Sequence, residues 1–284
     1  MIEIETKIKT KTKIVIVKKK RFILVITGLV VFVCLILYFF SKIYNPHPTN
    51  AKMNLSKSTL KYNTDHINKR ETIIPKNQNG NQYTPWTVKR TDGTKIAYLT
   101  FDDGPSVNTE KILQILNQNN IKASFFLIGK NAENYKELVR QELADGEVVG
   151  NHTYSHQLNY KEGTEIFVND INKCEKVLKS ILGPSYKLKL LRFPGGSFGP
   201  KLAPFRNAVA TAGYRYIDWN DEIGDADGYN LPVPTLLNNL KKYTLQKTVV
   251  ILMHDAGAKK TTVKALPQII QYLKSKGYTF DTLH

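Results

Sequence analysis

Cysteine is nearly absent from this chain of 284 residues, which has only Cys34 and Cys174. Cys34 falls in an apolar run near the N-terminus and Cys174 stands alone in the remainder, so no intrachain disulfide can staple the larger part. The fold must hold by burial, and 42% hydrophobic residues supply a sizeable core. Acidic residues are also short: 24 Asp and Glu face 41 Lys and Arg, a formal net charge of +17. Such a surplus suggests nucleic acid, anionic wall polymer or lipid head groups. No basic stretch interleaved with aromatic residues is present, so nucleic acid is not an expected partner. No H-E-x-x-H occurs, which argues against the common zinc peptidases. No internal repeat is visible.

The N-terminus is where charge itself is missing. Phe22–Phe40 is nineteen residues without a charged side chain. As a helix it would span about 28 Å at 1.5 Å per residue, close to a bilayer core. Residues 1–21 before it carry eight Lys and Arg against Glu3 and Glu5. No A-x-A-like site follows, which favours a retained anchor over a cleaved signal peptide. The expected organisation is a basic cytoplasmic N-terminus (1–21), a transmembrane anchor (22–40), a polar stalk (41–85) and a catalytic domain (86–284), with the domain outside the cell membrane. The stalk is rich in Asn, Lys, Thr, Ser and Pro and holds no sugar-binding module.

From Trp86 onward strands and helices alternate. Strands are expected at 95–101, 122–129, 147–152, 187–193, 214–219 and 248–254. Helices are expected at 108–120, 134–146, 163–182, 201–213, 234–245 and 261–277. The alternation predicts an α/β fold, a distorted (β/α) barrel of about seven parallel strands, with its chemistry at the C-terminal strand ends.

The polar residues that stand out lie at those ends. Asp102 and Asp103 follow "YLTF", His152 and His156 follow "EVVG", and Arg192 closes "KLKLL". Asp218, Asp221, Glu222 and Asp225 follow "YRYI", and His254 and Asp255 close "VVILM". Taken singly each is weak; adjacent Asp residues before Gly-Pro can simply make a turn. Together they are specific, since three of the chain's six histidines are among them. One carboxylate and two imidazoles suit a borderline divalent metal and leave room for water. A second carboxylate can act as base, and a third imidazole can protonate a leaving group. That set can hydrolyse an amide or ester.

The motifs "TFDDGPS", "NHTYSH", "RFPGG", "DWNDEIGDADG" and "VVILMHD", in this order, resemble the NodB-like polysaccharide deacetylases, carbohydrate esterase family four, over residues 90–284. The resemblance implies Asp102 as catalytic base, oriented by Arg192, and Asp103, His152 and His156 as ligands of a divalent metal, zinc first, with cobalt or manganese as alternatives. It implies an oxyanion contact at Gly195 beside Pro194, His254 as general acid, and Leu252 beside the acetyl methyl. Asp225 or Glu222, with Asp221 close behind, would tune His254. Two positions depart from the family pattern. Gly195 stands where many members have an aromatic residue, and Ala226 stands where many have tryptophan; Trp219 or Tyr229 would replace part of that wall. The expected activity is removal of N-acetyl groups from peptidoglycan. Chitin oligomers, an exopolysaccharide or acetyl-xylan are alternative substrates, and a non-catalytic wall-binding protein is the alternative of another class. The sequence does not give the oligomeric state.

Overall fold

The computed structural model describes residues 81–88 and 90–284. The basic N-terminus, the proposed anchor at 22–40 and the stalk up to residue 80 lie outside the described residues. Among the described residues, no helix is long and apolar enough to cross a membrane.

The described residues form eight strands: β1 Lys95–Gly104, β2 Ser124–Leu127, β3 Val148–Asn151, β4 Leu190–Leu191, β5 Arg215–Tyr216, β6 Asp221–Glu222, β7 Thr248–His254 and β8 Tyr278–Phe280. Seven of them form one ladder in the order β5-β4-β3-β2-β1-β7-β6, and β8 pairs with the start of β1. Every pairing between strands is parallel. The helices are α1 Thr109–Gln118, α2 Gly129–Asn134, α3 Lys136–Ala144, α4 Gly163–Leu182, α5 Ala203–Thr211, α6 Val233–Tyr243 and α7 Lys260–Ser275.

The edge strands β5 and β6 are consecutive in the chain, with only residues 217–220 between them. Laid flat, seven strands would separate the edges by about 29 Å at roughly 4.8 Å per strand. Five peptide steps reach at most about 18 Å. The sheet must therefore curl until its edges nearly meet, and the result is an open half-barrel rather than a closed ring.

Alternation along the strands divides the core. On β1, Ala97, Leu99 and Phe101 face the helices, while Tyr98 faces the concave side with Phe126, Leu190, Ile217 and Val250. On β7, Val249, Ile251 and Met253 join the helix-facing cluster. The helices bury one stripe each, as α1 does through Ile112, Leu113 and Leu116. The long helix α4 ends at Gly183, which takes φ 61 where a side chain would be disfavoured. The folded unit also takes in the end of the expected stalk. Asn81–Tyr83 lie along β5 through Tyr83 N–H to Tyr216 O and Tyr216 N–H to Asn81 O. A single bridge leaves no alternation to read, so the sequence gives no sign of it.

Candidate active site

Strand register sets the centre of the site. Asp102 on β1 is the direct partner of His254 on β7, with Thr100 opposite Leu252 and Tyr98 opposite Val250. The period of two puts Tyr98, Thr100 and Asp102 on the concave face, apolar at the bottom and polar at the top. Simple alternation would turn Asp103 away from its neighbour. Instead the register shifts between Asp102 and Gly104, and Asp103 adopts φ 72. Such a bulge re-aims a side chain, and Asp tolerates left-handed backbone better than most residues. Both carboxylates thereby reach His152: Asp102 Oδ2 is 3.8 Å and Asp103 Oδ1 3.6 Å from its Nε2.

Gly104, next along, is demanded by space. A Cβ there would lie 2.7 Å from Asp255 Oδ2. Asp255 is buried, accepts from Thr109 Oγ1 at 2.5 Å and Ser106 Oγ at 3.1 Å, and is pushed by burial up to about 7.

Asp103, His152 and His156 each present one donor atom, all within 4.8 Å of one another. Three details fit a cation. Asp103 Oδ1 is buried without a hydrogen-bond partner and lies 3.2 Å from His156 Nε2. His152 Nδ1 is 2.8 Å from Arg192 O, so it is the protonated nitrogen, which leaves the Nε2 lone pair facing Asp103. Burial lowers the His152 pKa to about 3, so the ring is a neutral donor at physiological pH. A carboxylate oxygen and two imidazole nitrogens, left unsatisfied by the protein, suit a borderline divalent metal.

Arg192 is fully buried. Its guanidinium donates to Asp102 Oδ1 at 3.0 Å, Thr100 Oγ1 at 2.7 Å, Ile217 O at 3.3 Å and Asp218 O at 3.1 Å, over the Phe126 ring. Four acceptors offset the desolvation of a buried cation. Burial nevertheless raises the Asp102 pKa, with Arg192 and then His254 pulling it back. A carboxylate in that balance is a stronger base than one in water.

Of the three carboxylates left open for His254, the structure selects Asp225. Its Oδ1 is 2.8 Å from His254 Nδ1, and its Oδ2 accepts from His254 N–H at 2.8 Å and Thr262 Oγ1 at 2.7 Å. Burial works against a charged imidazole. The hydrogen bond and charge of Asp225, with Asp102 and Asp103 behind, reverse this and bring the pKa up to about 9. Glu222 instead accepts from the Trp219 indole at 3.2 Å. Asp221 pairs with Ile251 on the helix-facing side and accepts from Thr244.

Phe193–Gly196 is a tight turn closed by Gly196 N–H to Phe193 O at 2.9 Å. Pro194 and Gly195, at φ 74, occupy its two central positions as a type II turn requires. Nothing lies within 4 Å of a Cβ built on Gly195, so conformation rather than space calls for glycine there. At Gly196 a Cβ would strike the Phe198 ring at 2.5 Å. Phe198 stands edge-on to Trp219, with centroids 5.3 Å apart, and this pair forms the aromatic wall beside the turn. Tyr229 is 81% exposed. Leu252 lies on the same strand face as His254 and is nearly buried.

Three supporting residues had no assigned role in the sequence. Thr100 was visible as a hydroxyl inside an apolar strand, two residues before Asp102. Asp218 tethers the turn loop, accepting from Ser197 N–H at 2.8 Å and Ser197 Oγ at 2.5 Å. Thr262, on a helix remote in sequence, gave no local signal.

Comparison with known proteins agrees with this geometry. Residues 89–217 match the polysaccharide deacetylase family profile. A peptidoglycan-N-acetylglucosamine deacetylase of Bacillus cereus is 37% identical over 67% of this chain and 70% of its own length. A second protein of that description from the same organism is 32% identical over 87% of this chain and 95% of its own. The solved structure of a Streptococcus mutans CE4 esterase superposes with a TM-score of 0.62 at 34% identity, covering 68% of this chain and 87% of that one. The chain belongs to the polysaccharide deacetylase family of hydrolases.

Proposed function

We propose that this protein is a metal-dependent N-deacetylase of peptidoglycan, held to the outer face of the cell membrane by residues 22–40 and removing acetyl groups from N-acetylglucosamine or N-acetylmuramic residues. The observation that carries the chemistry is the register of Asp102 and His254 on adjacent strands, with the Asp103, His152 and His156 donors beside them. A divalent cation, zinc first, held by those three donors would supply Lewis acidity and an acidified water. Asp102 accepts a proton from the water that attacks the acetyl carbonyl. Arg192 holds the Asp102 carboxylate at one oxygen and leaves the other free to point at that water. The N–H of Gly195, which the turn's own hydrogen bond does not use, is available to the developing oxyanion. His254 enters as imidazolium and gives its proton to the departing sugar amine, while Asp225 stabilises that charged form. Water and the acetamide become acetate and a free amine.

The substrate reading is supported by the descriptions of the two Bacillus relatives. The location is supported by the apolar run 22–40 behind a basic N-terminus. The test is acetate release by the full-length protein in detergent from isolated peptidoglycan, chitin oligomers and acetyl-xylan, with metal content measured on the same sample and Asp102→Asn as control. Acetate from peptidoglycan, lost in the variant with metal retained, supports the reading. Release from another glycan alone moves the substrate, and metal without turnover on any of them favours a wall-binding protein.

A further inference from the structure

His156 is presented by an unusual turn. Thr153 has φ 64 and His156 φ 58, both left-handed although neither is glycine. Such residues are strained and persist only where their surroundings hold them. Helix α4 does the holding. Asp170 Oδ2 accepts from Tyr154 N–H at 3.1 Å, Ser155 N–H at 3.0 Å and Ser155 Oγ at 2.9 Å. The carbonyls of Thr153 and Tyr154 face the start of α2, accepting from Gly129 N–H at 2.9 Å and Lys130 N–H at 3.1 Å. The neighbouring residue of α4 contributes too. Ile171 O accepts from Asn151 Nδ2 at 3.0 Å, and Asn151 Oδ1 accepts from Thr153 N–H at 2.8 Å. Asp is a poor helix former, and Asp170 lies well inside α4. Its use there is explained by the turn rather than by the helix.

We propose that Asp170 is a positioning residue for His156: one carboxylate oxygen on α4 gathers the Tyr154 and Ser155 amides inside the 153–156 turn, whose His156 N–H bonds Thr153 Oγ1, and so fixes the second imidazole against Asp103. His152 needs no such device. It follows β3 directly, and its N–H bonds Leu127 O within the sheet. His156 lies four residues further on and is half-exposed. Without Asp170 the turn relaxes toward right-handed backbone and the imidazole leaves the other two donors. The inference rests on reading Asp103, His152 and His156 as a metal centre.

The test uses full-length protein in detergent, stripped of metal and titrated with Co²⁺. Visible absorption reports the ligand field, and a competing chelator gives the Kd. Wild type, Asp170→Ala, Asp170→Asn, His156→Ala and the double variant Asp170→Ala/His156→Ala are compared. Residues that orient a metal ligand change affinity by about 10–100-fold. Asp170→Ala should therefore weaken Co²⁺ binding by that factor, and Asp170→Asn, which keeps an acceptor oxygen, by less. The melting temperature of the metal-free protein should move by no more than about 4 °C. Adding Asp170→Ala to His156→Ala should change the Kd by less than about 2-fold, because the residue through which it acts is gone. Unchanged affinity in both single Asp170 variants overturns the proposal. So does an equal loss in the His156→Ala background, or a metal-free protein that melts far earlier in both variants. A wild type that binds no Co²⁺ overturns the metal centre itself, an outcome distinct from a metal-binding wild type with an indifferent Asp170.

Discussion

His152 follows β3 and His254 closes β7 on opposite sides of β1, which carries Asp102, and both are largely buried, yet they are prepared for opposite work. His152 turns its Nδ1 to a neutral carbonyl, and burial takes its pKa to about 3. His254 turns its Nδ1 to the Asp225 carboxylate, which brings its pKa to about 9 despite burial. The acceptor behind each ring decides what that ring can do. A carbonyl fixes the tautomer and leaves a lone pair, whereas a carboxylate stabilises the cation. One side of the site can donate electron pairs to a metal while the other keeps a proton to give away.

The largest effect should come from breaking the lone-pair side. His152→Ala should abolish stoichiometric metal binding and bring acetate release to background, measured by metal analysis and assay on one preparation. His254→Ala should lower kcat/KM by about 10²–10⁴ with metal content unchanged; a loss of metal in this variant would erase the division of labour. Asp225→Asn probes the cause of the difference. His254 acts as an acid, so activity falls as pH rises through its pKa, near 9 in the wild type. Removing the carboxylate should move the alkaline limb of the kcat/KM profile down toward or below the ordinary histidine value of about 6.5. An unmoved limb would assign that ionisation to another group.

The smallest effect separates these limbs from stability. Glu142 is fully buried with both oxygens unpartnered, and burial, then Asp255 and Glu147, raises its pKa well above the ordinary carboxylate value. Its proton is held more tightly in the fold than in the unfolded chain, so stability is full below the ordinary value of 4.5 and falls as pH rises above it. Glu142→Gln should flatten that slope and raise the melting temperature at pH 8 by a few degrees, following relief of about 1 kcal/mol. The His254 limb should not move.

The elements most legible in the sequence were those with long uniform signals. Strand 248–254 and helix 163–182 are found at their expected bounds, because an apolar run ending at a histidine and a stripe flanked by glycines leave little choice. β4 and β5, at one end of the ladder, shrink to two residues each where seven and six were expected, because apolar residues there continue past the short stretch that is hydrogen-bonded in register. β6 is only Asp221–Glu222 and has no apolar pattern at all. α2 and β8 are likewise too short to show a period. At the site, strand ends were legible because chemistry on a parallel sheet gathers there. The bulge at Asp103 was not, since alternation alone cannot report φ, and the choice of Asp225 over Asp221 and Glu222 needed the fold of the loop after β6.

Gly104 and Asp255 carry a consequence for how such a sequence can drift. A methyl group at position 104 collides with the carboxylate of residue 255, so alanine enters there only if that carboxylate swings away from its partners or residue 255 becomes smaller. Shrinking residue 255 first would strand the hydroxyls of Ser106 and Thr109, which donate to it. Either order of change disturbs one of these contacts, so the effects of substitution at two positions 151 residues apart in the chain are coupled.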